Sequence, residues 1–318
     1  MPAFPTRSPA TYAAPLSARR PAYDDTGQGD DTRRTWSVRR LGYRVPRVQF
    51  DGTVHAVFAR ACYIECGDTL LTLAAATLAD GPTTLVLGRD AAADLRSAFR
   101  RGDAVRCRDG RVRSRGAALD LRSAHTWRVP DPRPSLAAGD TASRVELALT
   151  QLAQVRRTHS SVLDRNGAAA IARLTRACRD LDSANALDQA ARFVGWGEGL
   201  TPAGDDYLVG LCAALGTLVQ RDAGRREFLD RLRGFFAAQQ ARTTPIAAHC
   251  LKLAALGHFN ADILRAIDAL RSETDVPVAQ GALDDVMAVG ATSGADVLTG
   301  ILSGFTAWCG MAVMDCRQ

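Results

Sequence analysis

Lysine is almost missing from this chain: of its 40 basic residues only Lys252 is lysine. That excludes a Walker-type phosphate loop, which needs Lys after Gly. It also leaves Schiff-base chemistry a single candidate, set in a helical pattern of Leu and Ala. No pair among the eight cysteines has the CxxC spacing of a zinc or redox site. Several cysteines fall in apolar runs, where a free thiol behaves as a small hydrophobe. The N-terminus lacks the apolar stretch of a secretory signal, so a reduced, cytoplasmic protein is expected. The Gly-x-Ser-x-Gly string of a nucleophile elbow is also missing. Residues 1–47 hold nine Arg and four Asp, which accounts for most of the net charge of +6. The rest is nearly neutral, which argues against a nucleic-acid-binding body. One uncharged run of 18 residues, 297–314, approaches membrane-spanning length but contains Thr299, Ser303, Thr306 and three glycines. It is expected as a buried core helix, with no membrane partner.

What is present divides the chain. Residues 1–47, rich in Pro, Arg, Ala and Asp without an apolar period, are expected to be a disordered extension. Residues 48–129 are strand-like: 53–66 is rich in β-branched and aromatic residues, 83–87 follows a Gly81-Pro82 turn, and 104–107 and 112–115 flank the hairpin signal Asp109-Gly110. Short strands at 119–121 and 126–129 and one helix at 91–100 complete this part. Residues 130–140, with three prolines, read as a linker. From Thr141 the period becomes helical, with helices expected at 141–156, 168–181, 186–194, 205–221, 225–240, 245–256, 260–272, 279–289 and 295–314. The fold class is therefore α+β: a small β-rich barrel or sandwich, then an all-helical domain at 141–318. Helices 205–221 and 295–314 are apolar nearly all round and should be central, and Gly300 and Gly304 would let a second helix approach closely.

Two glycine-rich loops precede these two helices. The first holds Gly195, Gly197, Gly199 and Gly204 with Leu200, Thr201, Asp205 and Asp206; the second holds Gly290, Thr292, Ser293, Gly294 and Asp296. The pattern Gly-x-Asp-x-Leu-x-Gly recurs 90 positions apart. A helix start leaves four N–H groups unpaired, and glycine lets a backbone close on a small anion. Two such loops predict one site built from two similar halves. Thr201, Thr292 and Ser293 can donate hydroxyls. Asp205, Asp206 and Asp296 can accept from an amide or hold a hard cation such as Mg²⁺. The plainer reading makes each of these residues a helix cap or a packing device. His249 and His258 read as structural, Cys212 as packing, and Arg242 as a candidate carboxylate clamp.

The run Gly197-x-Gly199-Leu200-Thr201-Pro202-x-Gly204-Asp205-Asp206 resembles the signature of the AllH-like family. Thr292-Ser293-Gly294-x-Asp296 and Thr243-Thr244 support the resemblance, as do the His55-Ala56-Val57-Phe58 strand and the Gly81-Pro82 turn. It covers about residues 48–318. Trp196, Glu198 and Ala203 stand where the family usually has Leu, Pro and Ser. The resemblance implies a subunit of a carbamoyltransferase complex acting on oxalurate and phosphate to give oxamate and carbamoyl phosphate, with partner subunits. Taken with the chemistry of the loops, the substrate site is expected at Gly197, Gly199, Leu200, Thr201, Gly204, Thr243, Thr244, Thr292, Ser293 and Gly294, with Asp205, Asp206 and Asp296 as the catalytic groups. The alternative is a non-catalytic partner or effector-binding subunit.

Overall fold

The computed structural model describes residues 35–89, 91, 94–131, 135, 138–219 and 222–309. The nine strands of the described residues form one sheet, of which eight close into a barrel: β1 (Thr35–Gly42), β2 (Gln49–Val57), β3 (Ala61–Cys66), β4 (Thr69–Ala74), β5 (Thr84–Leu87), β6 (Ala104–Arg108), β7 (Arg111–Arg113) and β8 (Ala118–Asp120), with β9 (His125–Trp127) beside β1. Neighbours run β5-β4-β3-β2-β6-β7-β8-β1, and β1 pairs back onto β5 to close the ring. On its other side β1 lies parallel to β8 through Thr35–Ser37, then parallel to β9 through Arg40–Gly42. At the β6–β7 hairpin Asp109 and Gly110 both have positive φ (50° and 72°), as the turn-forming pair demands.

Residues 35–42 are therefore a strand and not part of a disordered extension. Trp36, Val38 and Leu41 are buried. The ladder to β5 shifts between Val38 and Arg40, so the inward face moves by one residue and the even alternation breaks. The stretch expected as a helix at 91–100 forms only a single 3₁₀ turn, Leu95–Ser97, with Asp94 accepting from the Arg96 N–H. Strand β4 was not expected from the sequence; it is buried on both faces at Leu70, Leu71, Leu73 and Ala74 and shows no alternation.

Ten α-helices follow among the described residues: α1 (Ala138–Thr158), α2 (Val162–Asn166), α3 (Ala168–Arg179), α4 (Ser183–Phe193), α5 (Ala203–Leu218), α6 (Ala223–Ala238), α7 (Pro245–Ala255), α8 (Ala261–Arg271), α9 (Val276–Met287) and α10 (Ser293–Trp308). Helix α1 starts at Ala138, inside the expected linker, and Ser135 bridges to Ser272. The short α2 was unforeseen; a Ser161–Asp164 capping box fixes it. Beyond residue 309 the expected last turns of α10 lie outside the described residues. No helix among those residues is long and apolar enough to cross a membrane.

Helices α5 and α10 are buried along almost their whole length, and the others pack around them. They touch at glycine. A Cβ on Gly300 would lie 2.0 Å from the Tyr207 carbonyl oxygen, and one on Gly210 would lie 2.0 Å from that of Val297. Gly304, one turn on, faces Leu211, Ala214 and Leu215. The two helices therefore run in the same direction, with both N-termini at one end.

The helical region is tied to the barrel through α7 and the turn that follows it, among other contacts. His249 accepts from the Leu70 N–H (3.4 Å) and bonds to the Thr83 hydroxyl (3.2 Å), and Lys252 pairs with Asp68. His258 meets Tyr43 and Arg44.

Candidate functional site

The parallel course of α5 and α10 brings the two glycine loops side by side. The hydroxyls of Thr201 and Ser293, 92 positions apart, bond at 2.9 Å. A third helix start joins them. The Thr244 hydroxyl caps α7 by accepting from the Ala247 N–H (3.1 Å), and it donates to the Leu200 carbonyl. Thr243 donates to Asp205 at 2.6 Å. Thr201, Leu200, Thr243, Thr244, Ser293 and the three acids thus gather at one end of the helical region.

The three acids do different things. Both oxygens of Asp205 accept from the Gly195 N–H (3.2 and 3.1 Å), so this side chain ties the first loop to the segment before α7. Burial pushes its pKa up to about 6, against the pull of the Thr243 and Gly195 hydrogen bonds. Asp296 is fully buried, and its Oδ1 accepts from Arg156 (2.9 Å) and Ser161 (2.8 Å). Arg156 also holds Asp164 and Thr299, so it clamps α1 and α2 onto the first turn of α10. Burial raises the Asp296 pKa, and Arg156 opposes that shift.

Asp206 occupies the matching place on α5 but faces no cation. Only the Thr201 and Ser293 hydroxyls help hold its charge, while Asp296 and Asp205 push against it. Burial, the largest influence, holds its carboxyl well above the usual carboxylate range. Its Oδ2 is buried without a hydrogen-bond partner, as is the Oδ2 of Asp296. A carboxyl in that state is a strong acceptor for an incoming N–H, or a neutral acid.

The first-turn amides are less available than helix geometry suggests. Gly204 N–H bonds to the Trp196 carbonyl (2.8 Å), those of Asp205 and Asp206 to Pro202, and that of Gly294 to Val289. Thr292 sits at the N-cap of α10 without a side-chain cap bond; its carbonyl accepts from Asp296 N–H. Gly204 and Gly294 are packing positions, since a Cβ would lie 2.0 Å from the Phe193 carbonyl oxygen and 1.8 Å from that of Val286. Gly197 is packed as well, a Cβ there lying 2.7 Å from the Ala203 nitrogen, whereas Gly199 is not. Both have positive φ (127° and 91°), Gly199 is exposed, and a Cβ there would meet nothing within 4 Å.

Four residues near this cluster were not foreseen: Arg156, Ser161, Tyr63 and Cys250. Ser161 announces itself by its Ser-x-x-Asp capping box; the others carry no local signal. Tyr63 on β3 and Cys250 on α7 both feel the charge of Asp206, so a barrel strand lies against this end. Burial drives both groups up to about 12, which keeps them neutral. Cys212 lies away in the core and donates to the Ala254 carbonyl. Arg242 is held by Gln239 and the Ala191 carbonyl. Among the described residues no three His, Cys, Asp or Glu side chains converge as a metal-holding group. Asp205 and Asp296 turn to other partners, so the acids do not assemble the Mg²⁺ set their sequence admits.

Comparison with known proteins places this architecture. The family model described as oxamate carbamoyltransferase subunit AllH matches residues 193–305, which begin at the first glycine loop and end within α10. The model of the AllH family N-terminal domain matches residues 34–126, the barrel. No solved structure matches the chain. With its barrel and its paired glycine loops each matched by a model of that family, the chain belongs to the AllH family.

Proposed function

We propose that the chain is an enzyme subunit that binds a small anionic carbamoyl- or carboxyl-bearing substrate where α5, α7 and α10 begin, as a subunit of a carbamoyltransferase complex. The observation that carries this reading is the 2.9 Å contact of Thr201 with Ser293 beside the unpartnered Asp206 oxygen. Donor and acceptor chemistry meet there. The two hydroxyls and the exposed backbone of Gly199 and Leu200, with half-buried Gly197 behind them, suit a carboxylate or phosphate, aided by two parallel helix dipoles. Asp206 suits the N–H groups of a ureido substrate. Gly204, Gly294, Thr243, Thr244, Thr292, Asp205 and Asp296 frame the site and hold the loops in place. In the reaction a phosphate oxygen attacks the ureido carbonyl of oxalurate, and the bond from that carbon to the oxamyl nitrogen breaks. The nitrogen takes the phosphate proton, giving oxamate and carbamoyl phosphate. Positioning and oxyanion stabilisation do most of the work. Free thiols throughout the described residues support the cytoplasm as its compartment.

One observation favours a second reading, a non-catalytic effector-binding subunit. His249 and His258 are engaged at the barrel contact, and Asp205 and Asp296 are already bonded. A proton-transfer group beyond Asp206 would then come from a partner chain. The test is calorimetric titration with phosphate, oxamate and oxalurate of the wild type, Gly199→Val and Asp206→Asn, with circular dichroism to confirm folding. Weakening of tenfold or more in both variants is expected. Wild-type binding in both removes the site. Binding without turnover until partner subunits are added selects the second reading.

A further inference from the structure

The barrel approaches the candidate site with the outer face of β3 and β4. Successive residues of a strand point to opposite faces. Cys62 and Ile64 belong to the barrel core, so Tyr63 between them points outward. On β4 Leu71 and Leu73 point inward, which leaves Leu70 and Thr72 on the outer face. The register pairs Tyr63 with Thr72 and Glu65 with Leu70.

Helix α7 lies along that face. Its Lys252 pairs with Asp68 (2.7 Å), in the turn before β4, and His249 accepts from the Leu70 N–H (3.4 Å). Toward its N-terminus the helix thus advances along β4. Four residues of helix rise about 6 Å and two of strand about 6.6 Å. The start of α7 at Pro245 therefore comes level with Thr72 and its partner Tyr63. Thr244, the cap of that start, holds the Leu200 carbonyl of the first glycine loop. The charge of Asp206 bears on Tyr63 and on Cys250 of α7 alike, which agrees with this placement.

The Tyr63 side chain is available there. It is half-buried, and its ring rests edge-on against Phe58, with centroids 6.1 Å apart at 77°. Among the described residues its hydroxyl makes no hydrogen bond. Burial pushes the phenol up to about 12, so near neutral pH it keeps its proton and can donate it. Asp206, whose Oδ2 has no donor, is not bonded to Tyr63. One donor and one acceptor are thus left open to a third group. A carbamoyl group carries C=O and N–H side by side on one carbon and answers both. Phosphate offers mainly acceptors and suits the Thr201 and Ser293 hydroxyls and the loop backbone instead.

We propose that Tyr63 is a substrate-contacting residue supplied by the barrel: its hydroxyl donates to the carbonyl oxygen of the carbamoyl group whose N–H donates to Asp206. This rests on the reading of the site given above. It makes the barrel one wall of that site and gives it a part in selecting carbamoyl compounds.

The test is calorimetric titration of the full chain with oxamate, oxalurate and phosphate. Wild type is compared with Tyr63→Phe, which keeps the ring against Phe58 and removes only the hydroxyl. Oxamate and oxalurate are expected to bind about fivefold more weakly, with phosphate unchanged. Unchanged affinity for both in Tyr63→Phe, while Asp206→Asn weakens both, overturns the role of Tyr63 and leaves the site standing. Equal weakening of phosphate also overturns it, because displaced loops and not a lost hydrogen bond would be the cause. If none of the three binds the wild type, the site falls and Tyr63 with it. Crystals soaked in oxamate give a check that needs no variant. The amide oxygen is expected about 3 Å from the Tyr63 hydroxyl; an amide oxygen turned away from Tyr63 overturns the assignment.

Discussion

Gly300 and the carbonyl of Tyr207 stand so close that no side chain fits between them: a Cβ would lie 2.0 Å from the oxygen. Gly210 meets Val297 in the same way, and both pairs repeat at the 90-residue spacing seen in the sequence. Gly300→Ala and Gly210→Ala should each lower stability by on the order of 3 kcal/mol, because backbone on both sides must move. Gly199→Ala meets open space and should lose only about 1 kcal/mol from its positive φ. Urea denaturation measures all three; equal losses across the set would contradict this account of the helix contact.

Arg156→Leu leaves Asp296 buried with a single hydroxyl partner. Breaking one side of such a pair is expected to cost about 3 kcal/mol or more. Adding Asp296→Asn should restore much of the loss, since the uncompensated charge is gone. A double variant no more stable than Arg156→Leu alone would show that the ion pair is not what holds α1 and α2 to α10.

Thr201→Val and Ser293→Ala each remove one end of the bond between the two loops. Each should lower stability by about 1 kcal/mol, and the two losses should be non-additive in a double-mutant cycle. Simple additivity would mean that the loops are not joined at this point in solution.

The pH profile turns on His249. Burial, with Lys252 and Arg44 nearby, lowers its pKa to about 4, while Asp68 opposes this. Between pH 6.5 and 4 the unfolded chain therefore takes up a proton that the folded chain refuses, and stability falls on acidification. Asp205, raised to about 6, acts in the opposite sense, as do Asp206, Asp262 and Asp296. Asp120, lowered to about 2, loses its contribution only as the pH drops below the ordinary carboxylate range. The stability difference between wild type and His249→Gln should be flat above pH 6.5 and shift by on the order of 3 kcal/mol by pH 4. Parallel profiles from pH 7 to pH 4 would rule this out.

Periodicity made the helices legible, and the Asp109-Gly110 pair made one hairpin legible. The same reading missed β1 because a ladder shift beside Arg39 breaks its alternation, and β4 because burial on both faces removes alternation altogether. At the candidate site, glycine spacing announced that two loops belong together. It could not separate Asp206 from Asp296, which occupy the same place in the repeat. What distinguishes them is Arg156, a residue 140 positions away from Asp296 whose approach depends on how α1 docks.

Strand β1 has a consequence for how the molecule assembles. It is the earliest strand among the described residues, yet it must pair with β5 on one edge and with β8 and β9 on the other. During synthesis one of its edges waits until Leu87 has emerged and the other until Trp127 has. Long-range pairing of this kind is slow and exposes sticky backbone meanwhile. The barrel therefore closes only once its last strands are made, and one edge of β1 stays open until then.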